Sequence, residues 1–210
     1  VNIYMFEGGT NFGFMNGSNY YDELTPDVTS YDYDGVLTES GDITEKYRRY
    51  QEVIRKYAPI PEVTYSTKIE KKAYGTLTAD AKVGLFESLE DLSVPVKCKF
   101  PTSMERLGQN YGYILYHTKL EKEQNLEKIR LYEANDRANL FVDQKPLVTL
   151  YDRQLLSEAK AGEDFAKEDG KPVTFKKGAP LDILVDNMGR VNFGPRMEHQ
   201  RKGIDGPVQI

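Results

Sequence analysis

The hydrophobic pattern of the first sixty residues predicts a strand, a long polar stretch and a helix. Residues 1–6 (VNIYMF) are almost continuously apolar and include β-branched and aromatic side chains. That pattern is typical of a buried parallel strand. Gly8 and Gly9 end the strand, and a polar, aromatic loop follows to about Ser40. A loop of roughly thirty residues inside a compact domain is uncommon and usually functional.

The helix is predicted to follow this loop. Asp42 is the expected N-cap, because Glu45 stands three residues later as in a capping box. Apolar side chains then recur at helical spacing until Pro59 and Pro61 end the pattern. The members of this face are Ile43, Tyr47, Tyr50, Val53, Ile54 and Tyr57. A strand, a loop and a helix form one βα unit of an α/β fold, and one unit cannot cover both faces of its strand.

The pattern changes in the second half of the chain. Residues 58–98 contain several prolines and little periodicity, with Leu77 expected in a short strand and residues 83–92 expected to be helical. Short strands with turn signals between them follow from about residue 100, which is typical of a β-sandwich or jelly roll. The predicted strands are 111–120, 128–132, 139–142, 147–150, 173–175 and 181–185, with a hairpin turn at 143–146.

Composition and charge exclude several classes of function. Hydrophobic residues are 39% and charged residues 29% of the 210, which is typical of a globular protein. The net charge is −5 and no basic stripe is present, so we expect no nucleic-acid binding. No segment approaches the run of about 18 apolar residues that a membrane span needs. No His or Cys cluster has metal-ligand spacing, and we expect the single Cys98 to be a packed or unreactive thiol.

The loop after the predicted strand carries the densest chemical signal. Aromatic rings, carboxylates and amides are interleaved between Tyr4 and Tyr33. Such a mixture suits a sugar, whose apolar face can lie on a ring and whose hydroxyls need donors and acceptors. If the strand belongs to a β/α barrel, its loop lies at the C-terminal face, where such enzymes place their sites. Gly, Asn, Asp and Tyr are also ordinary loop residues, so composition leaves both interpretations open.

Glu7 is the obvious catalytic candidate, because it follows a predicted strand end. A glycosidase needs two carboxyl groups, about 5 to 5.5 Å apart for retention or roughly 6.5 to 9.5 Å apart for inversion. Asp32 or Asp34 could be the second, but the sequence does not supply the distance. We therefore favour a loop-orienting role for Glu7. Residues 16–18 (NGS) match a glycosylation sequon inside the same loop.

Three stretches resemble family 35 of the glycoside hydrolases, the β-galactosidases. Residues 3–17 (IYMFEGGTNFGFMNG) resemble the last barrel strand and its loop, and residues 29–47 (TSYDYDGVLTESGDITEKY) resemble the segment that follows. Residues 181–194 (LDILVDNMGRVNFG) resemble the first β-domain of the family. The order and spacing agree over nearly the whole chain, whereas residues 60–105 match loosely, mainly through residues 73–75.

The resemblance implies an α+β chain with three parts. Residues 1–58 would be the last βα unit of a (β/α)8 TIM barrel, residues 59–99 a connecting segment, and residues 100–210 a β-sandwich with a jelly-roll, galactose-binding-like fold. Family members remove terminal β-linked galactose by a retaining double displacement, without a cofactor, in secreted, periplasmic or lysosomal locations. Their two catalytic glutamates would precede Val1. We therefore expect no catalytic residue and no metal site in this chain, and its partners to be a galactoside and the remainder of a longer parent chain.

Matched position by position, Tyr33 is expected to hydrogen-bond galactose, and Tyr4 and Tyr31 to lie near the sugar. Tyr31 and Tyr33 alternate with two aspartates, so their rings can share one side. Asp32 is expected to be a buried structural acceptor. The chain contains no Trp, which relatives often place around the sugar.

Two alternatives stay open. Residues 100–210 could be a non-catalytic carbohydrate-binding or structural module, with Tyr111, Tyr113 and Tyr116 as members of an aromatic platform, although apolar neighbours favour packing in a core. The same fold could also act on another sugar, for example as an exo-β-glucosaminidase. Most residues that would read the sugar lie outside this sequence.

Overall fold

The computed structural model describes residues 1–62, 69–165, 173–198 and 200–210, and these fold mostly as β-strands with few helices. The helices are Glu45–Arg55 (α1) and Leu89–Leu92 (α2), with 3-10 turns at Glu105–Leu107 and Asp152–Leu156. The strands are Gly17–Tyr20 (β1), Leu24–Pro26 (β2), Tyr113–Lys119 (β3), Gln124–Leu126 (β4), Lys128–Leu131 (β5), Ala134–Asn135 (β6), Arg137–Val142 (β7), Lys145–Tyr151 (β8), Ala159–Lys160 (β9), Val173–Phe175 (β10), Pro180–Asp186 (β11), Arg190–Phe193 (β12), Gly203–Ile204 (β13) and Val208–Gln209 (β14).

The chain divides into two compact units. The first unit contains residues 1–12 and 27–82, and the second contains residues 13–26 and 83–210. A mostly β fold that follows a segment with one helix is compatible with a β-domain after the end of a barrel. Among the described residues, no helix combines the length and apolarity that crossing a membrane requires.

The first unit has no strand at residues 1–6, so the prediction of a buried strand there is wrong. Val1, Tyr4 and Phe6 are exposed instead. A parallel strand needs a neighbouring strand to receive its backbone hydrogen bonds, and the described part of the first unit offers none to this segment. Apolar composition alone therefore does not produce a strand here.

Helix α1 begins at a different cap from the predicted one. Thr44 is the N-cap, and its hydroxyl oxygen accepts a hydrogen bond from the backbone N–H of Tyr47 at 3.3 Å. The same hydroxyl donates to the carbonyl oxygen of Val36 at 2.6 Å. The prediction of Asp42 as N-cap is therefore wrong.

Asp42 instead holds a segment distant in sequence. Its carboxylate accepts from the backbone N–H of Ile69 at 3.1 Å and pairs with the ammonium group of Lys71. The hydrogen bond from Lys71 lowers the pKa of Asp42, because it favours the charged carboxylate. The helix has the predicted apolar face, but none of its residues is buried. In the connecting segment Leu77 lies outside any strand, and α2 covers only the end of the helix predicted at 83–92.

A four-stranded antiparallel sheet in the order β3-β11-β7-β8 dominates the second unit. Alternate side chains of β11, such as Ile183 and Val185, are buried against Leu140 and Ala138 of neighbouring strands in one hydrophobic core. The predicted strands 111–120, 128–132, 139–142, 147–150, 173–175 and 181–185 correspond to β3, β5, β7, β8, β10 and β11, and are confirmed. The predicted hairpin turn is also present: Asp143 and Gln144 both have positive φ, as a two-residue hairpin loop requires.

The segment 13–26, predicted as loop, instead forms a short hairpin in the second unit. Strand β1 pairs antiparallel with β2 and parallel with β12. Tyr20, Leu24 and Val191 form a small buried cluster there. Gly189 permits this pairing: its φ is +129°, and a Cβ at this position would lie 2.7 Å from the carbonyl oxygen of Gly17.

Candidate functional site

The three tyrosines assigned to the sugar by resemblance lie together in the first unit. The ring of Tyr33 lies 5.2 Å from that of Tyr31 and 6.1 Å from that of Tyr4, measured between ring centroids. Tyr4 and Tyr33 are exposed, and Tyr31 is half-buried. A hydrogen bond with the side chain of Tyr4 raises the pKa of Tyr31. Three phenol side chains therefore present rings and hydroxyls in one patch, which we call the tyrosine cluster.

Backbone pairing with the preceding segment fixes Tyr31. Its N–H donates to the carbonyl oxygen of Gly9 at 2.9 Å, and Asn11 donates to the carbonyl oxygen of Thr29 at 2.6 Å. Gly8 allows this close approach, because a Cβ there would lie 1.6 Å from the carbonyl oxygen of Tyr31. A residue with any side chain at position 8 would displace the backbone of Tyr31.

Tyr33 stands in a turn that polar side chains hold. The carboxylate of Asp32 accepts from the backbone N–H of Asp34 at 3.0 Å, as in an Asx turn. Asp34 has φ +52°, and its carboxylate pairs with the ammonium group of Lys46 at 2.8 Å. Asp32 is thus an acceptor as predicted, but it is exposed rather than buried.

The sequence analysis missed Glu39, which joins both sides of the same loop. Its carboxylate accepts from the hydroxyl of Thr10 and, at 2.9 Å, from that of Ser30. These partners lie 29 and 9 residues away, so no local spacing signals the contact. The contact of Lys46 with Asp34 was also not predicted. The position of Lys46 in the first turn of α1, after an Asp-rich stretch, is only a weak indication of such an ion pair.

Glu7 and Asn16, the two other candidate residues of the loop, differ in their contacts. Glu7 is exposed and makes no hydrogen bond or ion pair within the described residues, so the predicted loop-orienting role has no contact to support it. The half-buried amide of Asn16 donates to the carbonyl oxygen of Met188 at 2.8 Å, which gives the sequon asparagine a structural role.

The three tyrosines considered for an aromatic platform in residues 100–210 do not share one sheet face. Tyr113 and Tyr116 are separated by three residues on one strand, so they point to opposite faces. Tyr116 packs against the core, donates to the carbonyl oxygen of Thr102 at 2.8 Å and accepts from the N–H of Ile204 at 2.8 Å. Burial raises the pKa of Tyr116 to about 12. Tyr111 is exposed but lies before the strand.

Metal-ligand groups and the single cysteine were the other candidates of the sequence. In the described ranges, no group of three His, Cys, Asp or Glu side chains is arranged to hold a metal ion. Cys98 is a free and exposed thiol, so the packed alternative considered for it is wrong.

Known proteins resemble this chain over its full length. The family described as "Glycosyl hydrolases family 35" matches residues 1–57, and "Beta-galactosidase, first all-beta domain" matches residues 101–210, more than half of the chain. Beta-galactosidase-1-like protein 2 of Homo sapiens is 36% identical over 216 residues, covering 100% of this chain and 31% of the relative.

Beta-galactosidase of Homo sapiens is 37% identical over 199 residues, covering 92% of this chain and 27% of the relative. Beta-galactosidase of Xanthomonas manihotis is 33% identical over 218 residues, covering 100% of this chain and 33% of the relative. The chain thus spans a third or less of the length of these relatives. Since both family matches follow the same order along the chain and the relatives align with nearly all of it, the chain belongs to glycosyl hydrolase family 35.

Proposed function

We propose that this chain is part of a retaining exo-β-galactosidase that hydrolyses terminal, non-reducing β-D-galactose residues of glycans and oligosaccharides. Tyr33 hydrogen-bonds the galactose, and Tyr4 and Tyr31 line the same pocket. The two catalytic glutamates belong to the remainder of the parent chain, so this segment binds sugar but does not cleave the glycosidic bond.

The observation that carries this proposal is the tyrosine cluster. Tyr31 follows Tyr4 by 27 positions, and Tyr33 follows Tyr31 by two. Their rings nevertheless lie within contact distance, although none of the three belongs to a buried apolar core of the described residues. A hydroxylated ring offers both a face for sugar C–H groups and a hydrogen-bonding group. The family membership supports the proposed reaction class, and the tyrosine cluster supports the position that we propose for the sugar.

The proposal includes a division of the chain. Residues 1–58 form the end of a TIM-barrel catalytic domain, and residues 100–210 form a jelly-roll domain. Residues 59–99 form the segment that connects these two domains. The exposed aromatic residues at the start of the chain and on the apolar face of α1 then pack against the remainder of the barrel. This accounts for why an amphipathic helix buries none of its residues.

The test is Tyr33→Phe in the whole protein that carries this chain. We expect kcat/KM for a nitrophenyl β-galactoside to fall by about tenfold or more, since a hydrogen bond to the substrate is worth roughly 1 to 3 kcal/mol. Tyr21→Phe is the matched control, because its exposed ring contacts Phe193 and lies outside the tyrosine cluster. Undiminished turnover by Tyr33→Phe would contradict the assigned role.

A second expectation concerns the 210 residues alone. Since a retaining glycosidase needs both carboxyl groups, the purified chain is expected to release no nitrophenol from a nitrophenyl β-galactoside. Measurable hydrolysis would overturn the proposal that both glutamates lie elsewhere. A nitrophenyl β-glucosaminide tested beside it in the whole protein separates a β-galactosidase from an exo-β-glucosaminidase.

A further inference from the structure

The second unit contains a cavity of about 310 Å³ that plays no part in the tyrosine cluster. Tyr20 and Leu24 of the β1–β2 hairpin, together with Val191 of β12, form its apolar floor, and all three are buried. Pockets of about 300 Å³ or more accommodate small organic ligands, provided that a few polar groups converge on them. The polar groups of this wall therefore decide what the cavity can hold.

The most buried polar groups of the wall already satisfy one another. The ammonium group of Lys202 donates to both carboxylate oxygens of Asp136 at 2.7 Å and to the carbonyl oxygen of Gly189 at 2.9 Å. Asp136 also accepts from the N–H of Met188 at 2.9 Å. These groups form a fixed back wall in which all three donors of the Lys202 ammonium group are used.

Arg196 is different, because no described residue accepts a hydrogen bond from its guanidinium group. It lies over the ring of Tyr20, 4.4 Å from the ring centroid. It makes no hydrogen bond or ion pair with any other residue that the structure describes. A planar guanidinium carries five N–H donors in a fixed arrangement, which suits paired oxygen atoms on a ligand.

The turn that carries Arg196 is held at both ends. At its start, a Cβ on Gly194 would lie 1.9 Å from the carbonyl oxygen of Tyr20, so the chain touches the floor of the cavity there. At its end, the amide of Gln200 donates to the carbonyl oxygens of Val191 at 2.8 Å and Met197 at 3.2 Å. The guanidinium is therefore preorganised rather than presented on a free loop.

Acceptors face the same cavity. One carboxylate oxygen of Asp152 accepts from the N–H of Leu24 at 3.2 Å, which leaves its second oxygen available. The amide nitrogen of Asn135 donates to the carbonyl oxygen of Arg201 at 3.0 Å, which leaves its carbonyl oxygen available. Within the described part of the chain, the wall thus offers unused donors on one side chain and unused acceptor oxygens on two others.

The charges of the wall balance. Lys202 pairs with Asp136, and Arg201 pairs with Asp205 outside the cavity. Among the described residues of the lining, the charges without an ion pair are then Arg196 and Asp152, one of each sign. A ligand with a net charge would leave this balance uncompensated in a partly enclosed site. A neutral ligand that both accepts and donates hydrogen bonds fits the wall best.

We propose that this cavity binds a neutral, polyhydroxylated molecule of monosaccharide size, as a free sugar or as a terminal sugar residue. Arg196 donates to neighbouring hydroxyl oxygens, and Asp152 and Asn135 accept from hydroxyl groups. Because Tyr20 and Leu24 form the floor, the site needs segment 13–26 as well as the β-strands that follow. It is independent of the tyrosine cluster and of the proposed hydrolysis.

The test is ligand-observed NMR and calorimetric titration of the 210-residue chain with D-galactose, D-glucose and myo-inositol, beside D-glucuronate and inorganic phosphate. We expect at least one neutral compound to bind in the millimolar range. Arg196→Ala is expected to weaken that binding by about tenfold or more, because several charge-assisted hydrogen bonds are lost. Arg130→Ala is the matched control, since Arg130 also stacks on a tyrosine, Tyr132 at 4.5 Å.

Tyr33→Phe separates this site from the tyrosine cluster, because it is expected to leave the binding unchanged. Thermal unfolding of each variant checks that it is folded, and Arg196→Lys, which keeps the charge but not the planar group, serves if the alanine variant does not fold. Three results would overturn the proposal: no neutral compound binds, glucuronate or phosphate binds more tightly than every neutral compound, or Arg130→Ala weakens binding as much as Arg196→Ala.

Discussion

Replacing Lys202 by Met removes the cation from a deeply buried ion pair. The side chains of Lys202 and Asp136 are 2% and 5% exposed, and the ammonium nitrogen lies 2.7 Å from both carboxylate oxygens. Removing one partner of such a pair leaves an uncompensated buried charge and costs about 3–5 kcal/mol. Met is flexible and close to Lys in length, so the loss is mainly electrostatic rather than a loss of packing.

The cost depends on pH, because Asp136 can bind a proton. Burial raises the pKa of Asp136 even though Lys202 acts in the opposite direction, so without Lys202 the pKa rises further. A carboxyl group with a folded-state pKa above its unfolded value of about 3.9 contributes stability below that value and loses it as the pH rises through the folded pKa. Lys202→Met is therefore expected to be most destabilised at neutral pH and least destabilised near pH 4.

Urea unfolding followed by circular dichroism at pH 4, 5.5 and 7 measures this difference. Lys128→Met is the matched control, because Lys128 pairs at 2.9 Å with Glu158 but is half-exposed, and an exposed pair is worth about 0–1 kcal/mol. The double variant Asp136→Leu, Lys202→Met is expected to regain most of the lost stability. The reasoning is refuted if Lys202→Met lies within about 1 kcal/mol of the wild type at pH 7, or if its deficit is the same at pH 4.

Three further outcomes are expected. Gly8→Ala, with a Cβ 1.6 Å from the carbonyl oxygen of Tyr31, should shift the NMR signals of the tyrosine cluster, whereas Gly84→Ala, whose Cβ would meet only the side chain of Glu87 at 3.4 Å, should leave them in place. Tyr116→Phe should lower the free energy of unfolding by about 1–3 kcal/mol in urea, because two backbone groups lose their hydroxyl partner. Since the pKa of Tyr116 is raised to about 12, the stability it contributes is present below its ordinary value of 10 and is lost between pH 10 and 12. Unfolding curves in that range should converge for the wild type and Tyr116→Phe, and parallel curves would refute this.

The strands of the second unit could be predicted because their signals are local. In β11 the β-branched residues Ile183 and Val185, two positions apart, mark the buried face, and the polar pair at 143–144 marks the hairpin before β8. Burial of one face fixes the register of such strands. Where the partner is distant, the prediction failed: Asp42 has the spacing of an N-cap, but Lys71, 29 residues later, uses its carboxylate.

The tyrosine-rich stretch shows most clearly what composition predicts and what it does not. Its mixture of rings, amides and carboxylates predicted one sugar-binding loop, yet the structure assigns Tyr31 and Tyr33 to the first unit and Tyr20 to the second. The division follows from β1, which pairs with β12 and is held there by Asn16, whose partner Met188 lies 172 residues away. No periodicity within the loop encodes that pairing, because it rests on glycines that permit close backbone contact rather than on an apolar pattern. Local sequence therefore shows which side chains are available, whereas long-range pairing decides which unit presents them.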